Sequence, residues 1–163
     1  GWRSSRQDAT SVRDHAANAI QPAILANGTM GAWLTRLSDD HAAVGLAREN
    51  QSVETLVDRL FLRILTRKPR ADERAAMTAF LQPSYAERVV EPAANAPREK
   101  RTPPRYVSWS NHLTPEANVI KVELEEAARR GEPPTDKLDP RWRRRLEDVL
   151  WSLLNSPEFV FTP

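Results

Sequence analysis

Trp109, Asn111 and His112 place an indole, an amide and an imidazole within four consecutive residues of the segment Tyr106-Val107-Ser108-Trp109-Ser110-Asn111-His112-Leu113. Polar side chains around an aromatic ring suit stacking on a sugar or a wet protein interface. These three residues are therefore candidate ligand or partner contacts. Packing of Trp109 into the fold is the competing reading. A second candidate is basic: Arg141, Arg144 and Arg145, with Arg143 and Trp142 among them. Arginines can contact phosphates, and an interleaved aromatic is what single-strand binding uses. Trp142, however, falls on one helical stripe with Leu146 and Val149. Acids also flank the run, Glu132, Asp136 and Asp139 before it and Glu147 and Asp148 after it. Weak nucleic-acid or anion binding is the most that stretch supports.

Other chemistry finds little footing. His15, His41 and His112 are far apart and form no HExxH or i, i+4 pair, so no metal site is expected. No GxSxG elbow offers a serine nucleophile. Asp39-Asp40, Glu125-Glu126 and Glu147-Asp148 are adjacent pairs, which on a helix diverge by about 100° and read as solvated faces. Asn27-Gly28-Thr29-Met30-Gly31 lacks both phosphate-loop patterns and reads as a helix stop, because Asn and Gly tolerate positive φ. There is no cysteine, which rules out disulfides, thiol nucleophiles, iron–sulfur clusters and covalently attached c-type haem in this chain. No catalytic residue and no cofactor are expected within it.

The elements that must position these residues read as helices. Of the 163 residues, 40% are hydrophobic and 28% charged, ordinary for a globular chain. The 24 basic and 22 acidic residues leave a net charge of +2, less one-sided than a nucleic-acid binder usually shows. No apolar run approaches the ~20 residues of a membrane span. The start, Gly1-Trp2-Arg3-Ser4-Ser5-Arg6, is polar and lacks an initiator Met, so the chain is expected to be a piece of a longer protein.

Residues 1–15 read as an extended lead-in. A helix is expected over 16–26, with Pro22 kinking or starting it. Another is expected from Thr29 or Met30 to Leu37, burying Met30, Trp33, Leu34 and Leu37. The clearest runs over 53–66 behind the N-cap Ser52, with Val53, Leu56, Val57, Leu60, Phe61, Ile64 and Leu65 on one face. Pro69 stops it. The next spans Ala71 to Leu81, with Met77, Phe80 and Leu81 inward. Residues 91–105 hold four prolines and read as a linker-like insertion, and 106–113 as a short extended segment. Thr114-Pro115-Glu116 starts a helix to Arg130 that Gly131 closes, its apolar side being Val119, Val122, Leu124 and Ala127. Asp139-Pro140 starts the last, with Trp142, Leu146, Val149, Leu150, Leu153 and Leu154 buried. Trp33 and Trp151 also fit inward faces. Asn155-Ser156-Pro157 stops the helix through a left-handed Asn cap, and Phe159 and Phe161 fold back on the bundle, with Glu158 free to bond backbone N–H groups or an arginine.

Four segments carry a resemblance: Gln21-Pro22-Ala23-Ile24-Leu25-Ala26-Asn27-Gly28; Leu60 to Pro69 with Glu73 after it; Val107 to Leu113; and Leu150-Trp151-Ser152-Leu153-Leu154-Asn155-Ser156-Pro157-Glu158-Phe159. In this order they resemble the C-terminal domain of unknown function of large planctomycete-type envelope proteins, which often also carry a cytochrome-c-like domain. The resemblance spans about residues 16–161. It implies a secreted or periplasmic parent and supplies no established activity. Polysaccharide breakdown is a common guess for such proteins. The haem-attachment motif of the cytochrome part is not in this chain.

The expectation is an all-α, irregular bundle of six or seven helices, a single domain over 16–163 with its insertion at about 91–105. The expected role is a non-catalytic interaction or scaffolding module at the C-terminus of a multidomain envelope protein. Its partners would be other domains of the parent, an envelope protein, or a glycan in concert with polysaccharide degradation.

Overall fold

The computed structural model describes residues 20–91 and 105–161. The lead-in at 1–15, the first residues of the helix expected from 16, most of the proline-rich insertion, and His15 lie outside the described residues. The fold of the rest is all-α. Its helices are α1 (Ile20–Asn27), α2 (Thr29–Thr35), α3 (Ala42–Arg48), α4 (Val53–Leu65), α5 (Ala71–Leu81), α6 (Pro115–Arg130), α7 (Pro140–Leu154) and α8 (Pro157–Val160). The β-structure among the described residues is one isolated antiparallel bridge between Val89 and Leu138. The helices beyond the expected six or seven are short: α3, which follows the cap His41, and the single turn α8.

The core forms where the two most regular stripes meet. On α4, Val53, Leu56, Val57, Leu60, Phe61 and Leu65 are buried. On α7, so are Trp142, Leu146, Val149, Leu150 and Leu153. Ala43, Val44, Leu46 and Ala47 of α3, with Leu37, Leu81, Tyr85 and Leu138, complete the cluster. Each fully buried Leu or Phe contributes about 1.5–3 kcal/mol, so this layer dominates the stability of the fold. Trp142 lies edge-on to Tyr85 at 5.7 Å, and its indole N–H donates to the Leu81 carbonyl at 2.8 Å.

The punctuation is local. Ser52 accepts from Thr55 N–H, and Asp139 from the N–H groups of Arg141 and Trp142. Proline opens α6, α7 and α8, where its missing N–H costs nothing. Gly131 ends α6 at φ 64, a region that favours glycine. Thr66 ends α4 in the left-handed conformation at φ 58.

Several expectations need correction. Gly28 does not use positive φ; it is extended at φ −86. It and Gly31 are needed for space instead: a Cβ would stand 2.3 Å from Ile24 O and 1.8 Å from Leu25 O respectively, so only glycine lets α1 turn this tightly into α2. Pro22 lies within α1, whose described residues begin at Ile20. Asn155 is not left-handed (φ −98, ψ 7). Met30, Leu34 and Phe80 are exposed rather than buried. On α6 the buried positions are Ala117 and Ile120, with Leu124 half-buried one turn later, while Val119, Val122 and Ala127 face solvent. Two apolar registers were available there, and the other one packs.

Trp33 and Trp151 are half-exposed rather than core. Each lies across a seam and donates its indole N–H to a carbonyl in the last turn of another helix, Ala128 of α6 at 2.8 Å and Ala26 of α1 at 3.2 Å. With Trp142 on Leu81, three indoles donate to carbonyls in the last turns of helices, where few internal partners remain. Phe159 and Phe161 also stay exposed, and Val160 is the residue of α8 that is buried.

Candidate functional site

The segment 106–113 is a turn rather than an extended strand. Asn111 builds it. Its side-chain oxygen accepts from Ser108 N–H at 2.7 Å, its amide nitrogen donates to the Tyr106 carbonyl at 3.2 Å, and its own carbonyl accepts from Thr114 N–H at 2.9 Å. Asn side chains favour such closed local bonds. Ser108 and Ser110 pair through their hydroxyls at 2.7 Å. His112 Nδ1–H donates to the Trp109 carbonyl at 2.6 Å, and its ring stacks on the indole at 4.9 Å and 21°. Arg105 reaches both oxygens of Glu123, tying the turn to α6.

Of the three predicted contacts, Asn111 and His112 are thus committed to shaping the turn, and Trp109 is what the turn displays. Trp109 is 89% exposed, Leu113 87% and Tyr106 67%. The polar groups that hold these side chains out are bonded among themselves. What faces solvent is an aromatic and aliphatic edge on a preformed support.

The basic candidates lie on another element. Arg141 and Arg144 are exposed on α7, with Arg145 half-buried and its Nη1 3.3 Å from the Phe80 carbonyl. Arg143 turns away from them, donating to the Thr135 carbonyl at 2.5 Å and approaching Glu147 at 3.6 Å. Trp142 points into the core at 1% exposure, so no ring interleaves with these arginines at the surface.

The densest charged cluster was legible only in part. Arg67, at the end of α4, takes Glu73 from α5 and Glu158 from α8 together. The sequence allowed Glu158 an arginine without saying which. Arg67 first, and then the Arg70 N–H, hold the Glu73 carboxyl down at about 2, and Arg67 likewise lowers Glu158. Arg67 itself is raised by the same bonds. The cluster lies 5.4 Å over the Phe61 ring and joins the second and fourth of the segments that carry the resemblance.

The other polar side chains single out structural tasks. His41 caps α3, its Nδ1 accepting from Ala43 N–H at 3.1 Å and its Nε2 lying 3.1 Å from the Leu34 carbonyl. Arg88, 7% exposed, donates to the carbonyls of Ala47, Tyr85 and Glu49 and stacks over Tyr85 at 3.8 Å. Among the described residues, no group of three or more histidines and acids is placed to hold a metal ion. No helix among them is long and apolar enough to cross a membrane.

The fold defined by these elements is an all-α one. No protein-family model, no curated protein and no solved structure matches the chain.

Proposed function

We propose that the chain is a non-catalytic interaction module that works within a longer, periplasmic or extracellular envelope protein, docking another domain of that protein or a separate envelope partner. The observation that carries this reading is the turn at 106–113, which holds Trp109, Leu113 and Tyr106 in solvent while spending its own polar groups internally. Trp and Tyr dominate the energetics of protein interfaces, and a rigid display lowers the entropy cost of burying them. The envelope setting rests on the resemblance of the quoted segments. Immobilised wild-type chain and a Trp109→Ala variant, exposed to native envelope extract, test the reading. A partner retained by the first and lost by the second is expected. An identical retained set from both rules the turn out as the docking element.

A second reading is carbohydrate binding, favoured by the stacked Trp109–His112 pair, which leaves an indole open for a sugar ring. Its weakness is that Asn111, the obvious hydroxyl partner, is used within the turn. A glycan array covering acidic and sulfated glycans decides it, with Trp109→Ala as control; silence across the array removes it. Phosphate-backbone binding through Arg141 and Arg144 ranks below both, since no aromatic accompanies them outward.

A further inference from the structure

A guanidinium has five N–H donors, and Arg67 uses every one of its nitrogens. Nη1 donates to Glu73 Oε2 at 2.8 Å and to the Lys68 carbonyl at 3.0 Å. Nη2 donates to Glu73 Oε1 at 2.8 Å and to Glu158 Oε2 at 2.8 Å. Nε lies 2.7 Å from Glu158 Oε1 and 2.9 Å from Oε2. Two carboxylates therefore dock on two edges of one planar cation, in the paired geometry that makes such contacts strong.

The two acids play unequal parts. Glu73 belongs to the same corner of the chain, six residues on, and also accepts from Arg70 N–H at 2.7 Å. It fixes Arg67 in place. Glu158 arrives from 91 residues away on α8, a helix of four residues. A single turn has no helical stability of its own. It is held by the Ser156 cap, by its packing against α4 and α7 with Val160 buried, and by the Arg67 fork. Phe159 and Phe161 stand outside. Arg67 is thus preset on one edge, and the other edge with the Val160 seat receives a short acidic segment.

We propose that this corner is a peptide-binding site whose resident ligand is α8, and that it accepts the same Ser-Pro-Glu-Phe-Val segment in trans from a second copy of the chain. The occupant is argued by the seat itself, which is already filled by this segment. The tether is Asn155 and Ser156, and exchanging α8 between two copies restores the Arg67–Glu158 fork and the burial of Val160, while the bonds of Asn155 and Ser156 to the Trp151 and Leu153 carbonyls open. This goes beyond the docking role of the turn at 106–113, which takes no part in it.

The test uses the full chain as wild type, Glu158→Gln and Arg67→Lys, with a labelled peptide of the sequence of residues 155–161 as probe. Val160 and Phe161 N–H groups, bonded to Ser156 and Pro157 carbonyls, are expected to exchange with solvent by local opening, about tenfold faster in Glu158→Gln. The peptide is expected to bind Glu158→Gln better than wild type, and to bind Arg67→Lys, which keeps the charge but loses the fork, worse than either. Concentrated wild-type chain, refolded and sedimented, is expected to contain a dimer that Arg67→Lys lacks. Exchange of the α8 amides only at the rate of the α7 core overturns the proposal. So does peptide binding that is absent or equal in all three chains, or a wild type that stays monomeric throughout.

Discussion

Single residues divide into those that hold the fold and those that it offers. Arg67 holds: removing its guanidinium leaves Glu73 and Glu158 facing one another. Arg67→Ala is expected to lower the melting temperature, with Arg67→Lys recovering only part of the loss. Glu73 also carries a pH signature. Its folded carboxyl lies at about 2 against an ordinary value of 4.5, so the stability it contributes is complete above about 4.5 and is lost as pH falls through about 2. Urea titrations of Glu73→Gln are expected to show a flatter acid limb across that window than wild type. Arg88 is the other holding residue. Arg88→Ala strands the Ala47 and Glu49 carbonyls, while the Tyr85 carbonyl keeps the backbone N–H of residue 88, and is expected to cost about 3 kcal/mol in denaturant unfolding. Phe159 belongs to the second group. Its ring is only about one-third exposed, so Phe159→Ala is expected to cost about 1 kcal/mol, and truncating the buried Val160 costs more. The reason lies in one turn of helix: Glu158 turned onto Arg67 fixes the rotation of α8, and the next residue then points about 100° away.

At the scale of elements, tryptophans link helix ends. Trp33, Trp142 and Trp151 each donate to a carbonyl in the last turn of a different helix. Trp33→Phe or Trp151→Phe keeps an aromatic ring and deletes the donor, and is expected to cost about 0.5–1.5 kcal/mol at each site by chemical denaturation. Most element boundaries were legible because their signals are local. Ser52, Pro69, Thr114-Pro115, Gly131 and Asp139-Pro140 announce the starts and stops of α4, α6 and α7, and the full stripes of α4 and α7 announce their buried faces. The faces of α2 and α6 were not legible. Each carries more apolar residues than it can bury, and the choice is made by which neighbour is present, a long-range fact. The turn at 106–113 was missed for a related reason. Asn111 closes it through side-chain bonds, while the run Tyr-Val-Ser-Trp carries β-formers that favour an extended chain.

Across the whole molecule, α4 and α7 form the frame on which the rest is hung. Leu56 on α4 and Leu146 on α7 are fully buried, and either changed to Ala is expected to cost about 2–5 kcal/mol. From that frame the chain presents the aromatic edge before α6, the arginines of α7 and the seat of α8. The candidate residues were readable as types, an indole among polar neighbours, but their division of labour was not. Asn111 and His112 shape the turn, Trp109 is the side chain it leaves exposed, and the proposed docking role assigns it to a partner. That assignment is tested most directly by placing a photo-crosslinking phenylalanine analogue at position 109, and in a control chain at the exposed Arg63 of α4, then irradiating each in native envelope extract. A discrete adduct from position 109 and none from position 63 is the expected result. No adduct at 109, or the same products from both positions, would contradict it.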